Sequence, residues 1–169
     1  QGSSFDTIRL TGEAIDDVFT LDRSANFNQL RKTSGATYGV NFKRTETIEI
    51  NTLDGNDTIN VIGDLLGSDG NAAFVVDFGN GNNSLDASLN TDAGKAFIVT
   101  AGTGNDTLKG SAGEDNLNGA SGDDSIDGGT GEDTLTGGAG ADILNGDAGA
   151  DLINGGTEND TISGGSEID

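Results

Sequence analysis

Several residue types with distinctive chemistry are missing from this chain of 169 residues. It has no cysteine, histidine, methionine, tryptophan or proline, and only one tyrosine. Because cysteine is absent, disulfides, zinc–thiolate sites and thiol chemistry are excluded. Because histidine is absent and tyrosine is single, the chain offers few groups that could position a proton for catalysis. We therefore do not expect an enzyme.

Apolar residues are also scarce. Hydrophobic residues make up 32% of the chain and aromatic residues 5%, beside 29 glycines, which is too little for a large conventional core. No segment has the pattern of a long amphipathic helix, and none approaches the roughly 20 apolar residues of a membrane-spanning helix. The composition favours a stacked β architecture and argues against insertion into a membrane.

Positive charge is absent from the last sixty residues. The net charge is −21, all eight Lys and Arg residues precede residue 110, and residues 110–169 contain fourteen acidic residues. Such a segment repels itself and should stay disordered until a cation neutralises it. The charge argues against nucleic acid and anionic membranes as partners, and it favours a divalent metal.

A nine-residue unit repeats from Ala101 to Asp169 without insertion or deletion. The eighth residue of each unit is Leu or Ile, and the fourth is Gly until Glu158 and Glu167 replace it. The sixth residue is always Asp: Asp106, Asp115, Asp124, Asp133, Asp142, Asp151, Asp160 and Asp169. Carboxylate oxygens and the carbonyls of glycine-rich turns are ligands that calcium prefers. One aliphatic residue per nine makes a thin core, so the units must stack on one another.

This pattern resembles the RTX, or haemolysin-type, calcium-binding repeat. The resemblance implies an all-β fold, a right-handed parallel β-helix or β-roll, with calcium bound between stacked Gly- and Asp-rich turns. It also implies that six residues of each unit form a turn and three form a strand. Two units then complete one coil, so residues eighteen apart lie one above the other.

The resemblance further implies that each calcium ion lies between consecutive turns on one side of the roll, held by an Asp of each turn and by backbone carbonyls. On one side the pairs are Asp106 with Asp124, Asp124 with Asp142, and Asp142 with Asp160. On the other side they are Asp115 with Asp133, Asp133 with Asp151, and Asp151 with Asp169. The glycines expected in the turn backbone of these sites are Gly102, Gly104, Gly113, Gly122, Gly131, Gly140 and Gly149. The repeats would thus bind about six ions.

Substitutions within the units modify this expectation. Asp147, Glu158 and Glu167 stand where other units have a turn glycine, so we expect strain in the last turns. The additional acidic residues at the fifth position, Glu114, Asp123 and Glu132, are interpreted as solvated turn residues rather than ligands.

Residues 1–100 lack the tandem repeat but contain similar turns. Segments 53–59 and 79–85 match the fourth, sixth and eighth positions, with Asp57 and Asn83 at the sixth. Alternating apolar residues predict strands at 6–11, 17–22, 46–52, 58–62, 72–78, 84–89 and 95–100. We interpret these as wider coils with Asp57 and Asn83 beneath Asp106, which adds one or two candidate calcium sites. The alternative is that both side chains only hydrogen-bond their own turns.

Residues 23–45 combine basic and aromatic side chains. They are Arg23, Phe27, Arg31, Lys32, Tyr38, Phe42, Lys43 and Arg44. Such a combination can bind a sugar or an acidic polymer, but a capping hairpin with a solvated face is the favoured interpretation.

Taken as a whole, residues 1–100 are interpreted as an N-terminal β-helical part with wider coils and a cap, and residues 101–169 as the calcium-binding roll. Together they would form one continuous solenoid, a fragment of a larger protein. The predicted function is a calcium-binding structural module of a secreted or cell-surface bacterial protein, which folds on calcium binding after type I secretion.

The predicted partners are calcium ions, neighbouring domains of the parent protein and, as a candidate, extracellular polysaccharide. Two alternative functions stay open. One is an adhesion or carbohydrate-binding module, as in an adhesin. The other is a non-catalytic accessory module of a polysaccharide-modifying enzyme.

Overall fold

The computed structural model describes residues 7–12, 17–24, 27–32, 39–42, 47–63 and 72–166. All the regular structure in these residues is β-strand. The strands are β1 Thr7–Thr11, β2 Val18–Ser24, β3 Phe27–Lys32, β4 Gly39–Phe42, β5 Thr47–Asn51, β6 Thr58–Ile62, β7 Ala72–Asp77, β8 Ser84–Asp86, β9 Lys95–Thr103, β10 Thr107–Lys109, β11 Asn116–Ser121, β12 Ser125–Thr130, β13 Thr134–Ala139, β14 Ile143–Ala148, β15 Leu152–Thr157 and β16 Thr161–Ser163. Among the described residues there is no helix that could span a lipid bilayer.

The strands form two sheets. The first sheet has the order β1-β5-β7-β9-β11-β13-β15, and the second has the order β16-β14-β12-β10-β8-β6-β2-β3-β4. Every pairing is parallel except β2 with β3 and β3 with β4. The prediction of an all-β fold of stacked parallel strands, a β-roll, is confirmed. The seven strands predicted before the repeats correspond to β1, β2 and β5–β9, with small differences at their ends.

The pairing register in the repeats follows the two-unit period. Leu117 pairs with Leu135, and Leu135 pairs with Ile153, each eighteen residues further on. Upstream the same ladder continues with wider spacing, since Leu85 pairs with Leu108 and Ile59 with Leu85. The eighth-position side chains from Leu108 to Leu144 are buried in the core, and Leu117 and Leu135 fully so. The core is therefore a ladder of single aliphatic side chains, widened upstream by phenylalanines.

Strands in the repeats are longer than the resemblance implied. Each of β11–β15 has six residues, where three were expected. The reason is that these strands continue into the first three residues of the following unit, which still pair in the parallel ladder, as Ala120 does with Gly138. Only the fourth to sixth positions form the turn, which is consequently tight.

The second sheet begins with an antiparallel arrangement in the segment where sequence analysis favoured a hairpin. β2 pairs antiparallel with β3, and β3 with β4. Tyr38, Lys43 and Arg44, which belong to the basic and aromatic segment 23–45, lie outside the described residues.

Candidate metal centre

Buried carboxylates line up at the turns on one side of the stacked coils. The backbone N–H of Asp106 donates to Oδ1 of Asp124 at 2.8 Å, and that of Asp124 donates to Oδ1 of Asp142 at 2.8 Å. The backbone N–H of Asp142 in turn donates to Oδ1 of Asp160 at 3.0 Å. We call Asp106, Asp124, Asp142 and Asp160 the first column. The structure places these four residues one above the other, at the spacing that the eighteen-residue period predicts.

A second column lies at the turns on the opposite side. Asp115 N–H donates to Oδ1 of Asp133 at 2.8 Å, and Asp133 N–H donates to Oδ1 of Asp151 at 2.9 Å. Asp169, which was predicted to complete this column, lies outside the described residues. In both columns, one carboxylate oxygen of each Asp therefore ties its turn to the turn of the preceding coil.

The first column continues into the wider coils. Asn83 N–H donates to Oδ1 of Asp106 at 2.6 Å, and Asp57 N–H donates to Oδ1 of Asn83 at 2.9 Å. Below them, Asp17 N–H donates to Oδ1 of Asp57 at 2.7 Å. The sequence pattern predicts Asp57 and Asn83 at these levels, but Asp17 was not predicted. The signal for it is the repeat spacing, with Gly12 five residues before Asp17 and the core residue Phe19 two residues after.

Positive φ angles at the second and fourth positions shape most of these turns. Gly122, Gly131 and Gly140 at the fourth position have φ of 124°, 131° and 136°. A Cβ on Gly140 would collide with the carbonyl of Gly122 in the coil below. Asp147 and Glu158, which replace turn glycines, also have positive φ, at 67° and 77°. This is the strained conformation expected for them, whereas Glu167 lies outside the described residues.

The second carboxylate oxygen of the column residues points to a metal. Oδ2 is buried without a hydrogen-bond partner in Asp106, Asp124, Asp133 and Asp142. In Asp124, Asp133 and Asp142 this oxygen lies against the first-position glycine of the same unit. A Cβ on Gly137, for example, would collide with Asp142 Oδ2 beside the Gly155 carbonyl. A buried charged oxygen without a partner is costly unless a cation neutralises it.

The surrounding oxygens suit calcium. Within the described residues no three acidic side chains converge, so carboxylates alone would not complete a site. The carbonyls of the first-position glycines lie beside the Oδ2 atoms and could supply the other oxygens, for example Gly137 beside Asp124 and Gly146 beside Asp133. Mixed carboxylate and carbonyl oxygens at a flexible turn are typical of calcium sites. The residues present thus fit the metal that sequence analysis predicted.

Burial also changes the acidity of these groups. It raises the pKa of Asp106 and Asp124 to about 6 and that of Asp133 to about 7, although the backbone N–H donors partly oppose the shift. The charges of Asp106 and Asp142 add to the rise at Asp124. The stacked carboxylates therefore disfavour their own ionised form, which a bound cation or a proton would relieve.

We expect calcium-free protein to be more stable at pH 5 than at pH 7.5. The folded pKa values exceed the unfolded value of about 3.9, so the folded state binds protons more tightly and its stability falls as pH rises through 4–7. The expected gain in the free energy of unfolding is roughly 1–3 kcal/mol in total, allowing for solvent screening. Far-UV circular dichroism of the chain in calcium-free buffer, titrated from pH 7.5 to pH 5, measures the gain as a rise in β signal, whether or not the repeats are folded at pH 7.5. Asp133→Asn should reduce the gain, and lower stability at pH 5 would contradict the prediction.

A second hydrogen-bonded ladder at the fifth position was not predicted. Asp123 N–H donates to Oδ1 of Asn105 at 3.1 Å, and Ala141 N–H donates to Oδ1 of Asp123 at 2.9 Å. Asn105 and Asn82 continue it downward. Asp123, like Glu114 and Glu132, is exposed, as expected for a solvated turn residue. The fifth-position side chains therefore connect stacked turns by hydrogen bonds at the surface, whereas the Asp columns connect them in the interior.

Comparison with known proteins agrees with this geometry. The family model described as RTX calcium-binding nonapeptide repeat (4 copies) matches residues 100–135, 119–153 and 136–169. No curated protein matches the chain. The matched segments cover both columns from Asp106 onward. Residues 100–169 therefore contain RTX calcium-binding nonapeptide repeats, which indicate a calcium-binding structural module.

Proposed function

We propose that this chain is a calcium-responsive module of a secreted or cell-surface protein, with repeats that stay unfolded at cytoplasmic calcium and fold outside the cell. The observation that carries the proposal is the stack of buried Asp residues whose Oδ2 atoms have no hydrogen-bond partner. Such a stack is stable only when its charge is neutralised. Metal binding and folding are then coupled, since the oxygens converge only in the folded chain.

The charge distribution supports the coupling. Residues 110–169 carry fourteen acidic residues and no basic one, so no lysine or arginine in this segment can neutralise the columns. Extracellular calcium modules have dissociation constants of about 10⁻⁴ to 10⁻³ M. Sites of this affinity would be empty at cytoplasmic calcium and filled at extracellular calcium. The repeats would then fold outside the cell, where calcium is abundant, and stay unfolded in the cytoplasm, where it is scarce.

The residues proposed to hold calcium are consecutive column members with the carbonyls of their turns. In the first column these are Asp106 with Asp124, Asp124 with Asp142, and Asp142 with Asp160. In the second column the regular pair is Asp133 with Asp151. Asn83 with Asp106 and Asp57 with Asn83 are proposed as weaker sites, because a neutral amide supplies oxygen without charge.

The wider coils are proposed to fold with less dependence on calcium. At the level where the second column would continue downward, Phe97 pairs in register with Phe74, and Phe74 with Ile48. The rings of Phe74 and Phe97 stack with centroids 5.0 Å apart, and all three side chains are buried. Apolar packing therefore takes the place of the acidic stack on this side. These coils would offer a folded end onto which the repeats add.

The test is a calcium titration of the purified chain followed by far-UV circular dichroism, with magnesium as the control ion. We expect β signal to increase between about 10⁻⁴ and 10⁻³ M calcium and little change with magnesium, which gives up its water ligands reluctantly. Asp124→Asn should shift the midpoint to about tenfold higher calcium, since it removes a charge shared by two sites. The matched control is Asp123→Asn, an exposed neighbour whose side-chain oxygen can still accept from Ala141 N–H. A chain equally folded in chelator and indifferent to calcium would refute the proposal.

A further inference from the structure

The turn at residues 110–115, which opens the second column, differs from the other described turns. Second-position residues elsewhere have φ between 67° at Asp147 and 115° at Gly138, but Ser111 does not have a positive φ. The fourth-position Gly113 likewise lacks the positive φ of its equivalents. Strand β10 ends at Lys109, three positions earlier in the unit than β12 and β14. The turn therefore has its own backbone conformation, although its sequence fits the repeat.

A serine side chain satisfies the carboxylate of this turn. Ser111 N–H donates to Oδ2 of Asp115 at 2.7 Å, and Ser111 Oγ donates to the same atom at 3.1 Å. Ser111 Oγ also accepts from Gly113 N–H at 3.2 Å. Oδ1 of Asp115 accepts from Phe97 N–H at 2.7 Å. Both oxygens of Asp115 thus have protein donors, whereas Oδ2 of Asp133 in the next turn of the column has none.

The coil below accounts for the difference. Phe97, not an acidic residue, lies in register beneath Asp115. The fourth-position Gly113 packs against the backbone carbonyl of Lys95, whose side chain is buried and whose Nζ lies 3.6 Å from Asp92 Oδ2. The coil beneath this turn therefore presents an apolar ring and an internal ion pair. Oδ2 of Asp115 is directed to the donors of its own turn, and Oδ1 to the Phe97 N–H below.

We propose that Ser111 prevents calcium from binding at the turn 110–115, because it donates to the carboxylate of Asp115. Asp115 then serves as a hydrogen-bond acceptor, and calcium binding in the second column begins with Asp133 and Asp151. This inference rests on the proposed function, because it states which of the repeat turns take part in it. Ser111 then decides where the metal-dependent part of this column starts. The bound-ion count is accordingly one lower than the repeat pattern implies.

The direct test compares the calcium content of Asp115→Asn, Asp124→Asn and the unaltered full-length chain by native mass spectrometry at saturating calcium. We expect Asp115→Asn to retain every ion and Asp124→Asn to lose one or two. Equal losses in both variants would overturn the inference. Absence of bound calcium from the unaltered chain would instead overturn the proposed function, so the two failures are distinguishable.

A second variant covers the case in which Asp115→Asn does not fold. Ser111→Gly removes the hydroxyl and permits the positive φ of the other second-position residues, so we expect it to bind one ion more than the unaltered chain. Ala112→Gly is the matched control, since it loosens the same turn but keeps the serine, and it should leave the count unchanged. An unchanged count in Ser111→Gly would contradict the role given to Ser111.

Discussion

Replacing Leu135 with alanine is expected to lower the free energy of unfolding of the calcium-loaded protein by about 2–5 kcal/mol. Leu135 is fully buried and pairs in register with Leu117 below it and Ile153 above it. Because each unit contributes a single inward aliphatic residue at this position, little else can fill the space that truncation leaves. The cavity would interrupt the ladder in the middle of the repeats, where each coil depends on its two neighbours. Urea unfolding at saturating calcium, followed by circular dichroism, measures the loss.

Leu152→Ala is the matched control for this prediction. It makes the same chemical change in a neighbouring unit, but Leu152 lies at the outward-facing seventh position and is 68% exposed. Its stability should change by less than about 0.5 kcal/mol, as is usual for surface substitutions. Equal losses in the two variants would show that the eighth-position ladder does not hold the roll together.

The columns could be predicted from the sequence because two constraints coincide in the nine-residue unit. The single aliphatic residue at the eighth position identifies the side chain that points inward. The Asp two residues earlier then occupies the same place in the turn of every unit. With no insertions between Ala101 and Asp169, the eighteen-residue coil that the resemblance implies places Asp106 beneath Asp124. Asp57 and Asn83 could be placed by the turn motif although the offsets differ, since their turns keep the glycine and the aliphatic residue.

Other features could not be predicted because they depend on what a residue packs against. Asp17 was missed because the residues before it have glycine only at the first position, Gly12, and because the core residue two positions after it is Phe19 rather than Leu or Ile. The fifth-position ladder through Asn105 and Asp123 was missed because Asn and Asp in turns usually only indicate solvated loops. Strand length was underestimated because first-position glycines, which weaken isolated strands, are held here by neighbouring coils.

The turn at 110–115 shows this limit most clearly. Its sequence, Gly-Ser-Ala-Gly-Glu-Asp, matches the repeat as well as its neighbours do, and Asp115 was predicted as a ligand on that basis. The difference lies in the coil below, where Phe97 occupies the level of an Asp and Lys95 is buried. The repeat formula describes the residues of a single unit. The chemistry of a stacked turn also depends on the residues of the coil beneath it.

Replacing Gly140 with alanine is expected to destabilise the calcium-loaded protein by roughly 2–5 kcal/mol, combining backbone strain with steric overlap. Gly140 has φ of 136°, and a Cβ there would collide with the backbone carbonyl of Gly122. The stacked turns would have to separate, which would also spread the oxygens around Asp124 and Asp142. The calcium midpoint of folding should therefore rise together with the loss of stability. Ala141→Ser is the control, because Ala141 is exposed and its N–H bond to Asp123 needs only the backbone. If Gly140→Ala and Ala141→Ser gave the same results in urea unfolding and in calcium titration, the prediction would be wrong. Glycine would then not be needed at position 140 for close stacking of the turns.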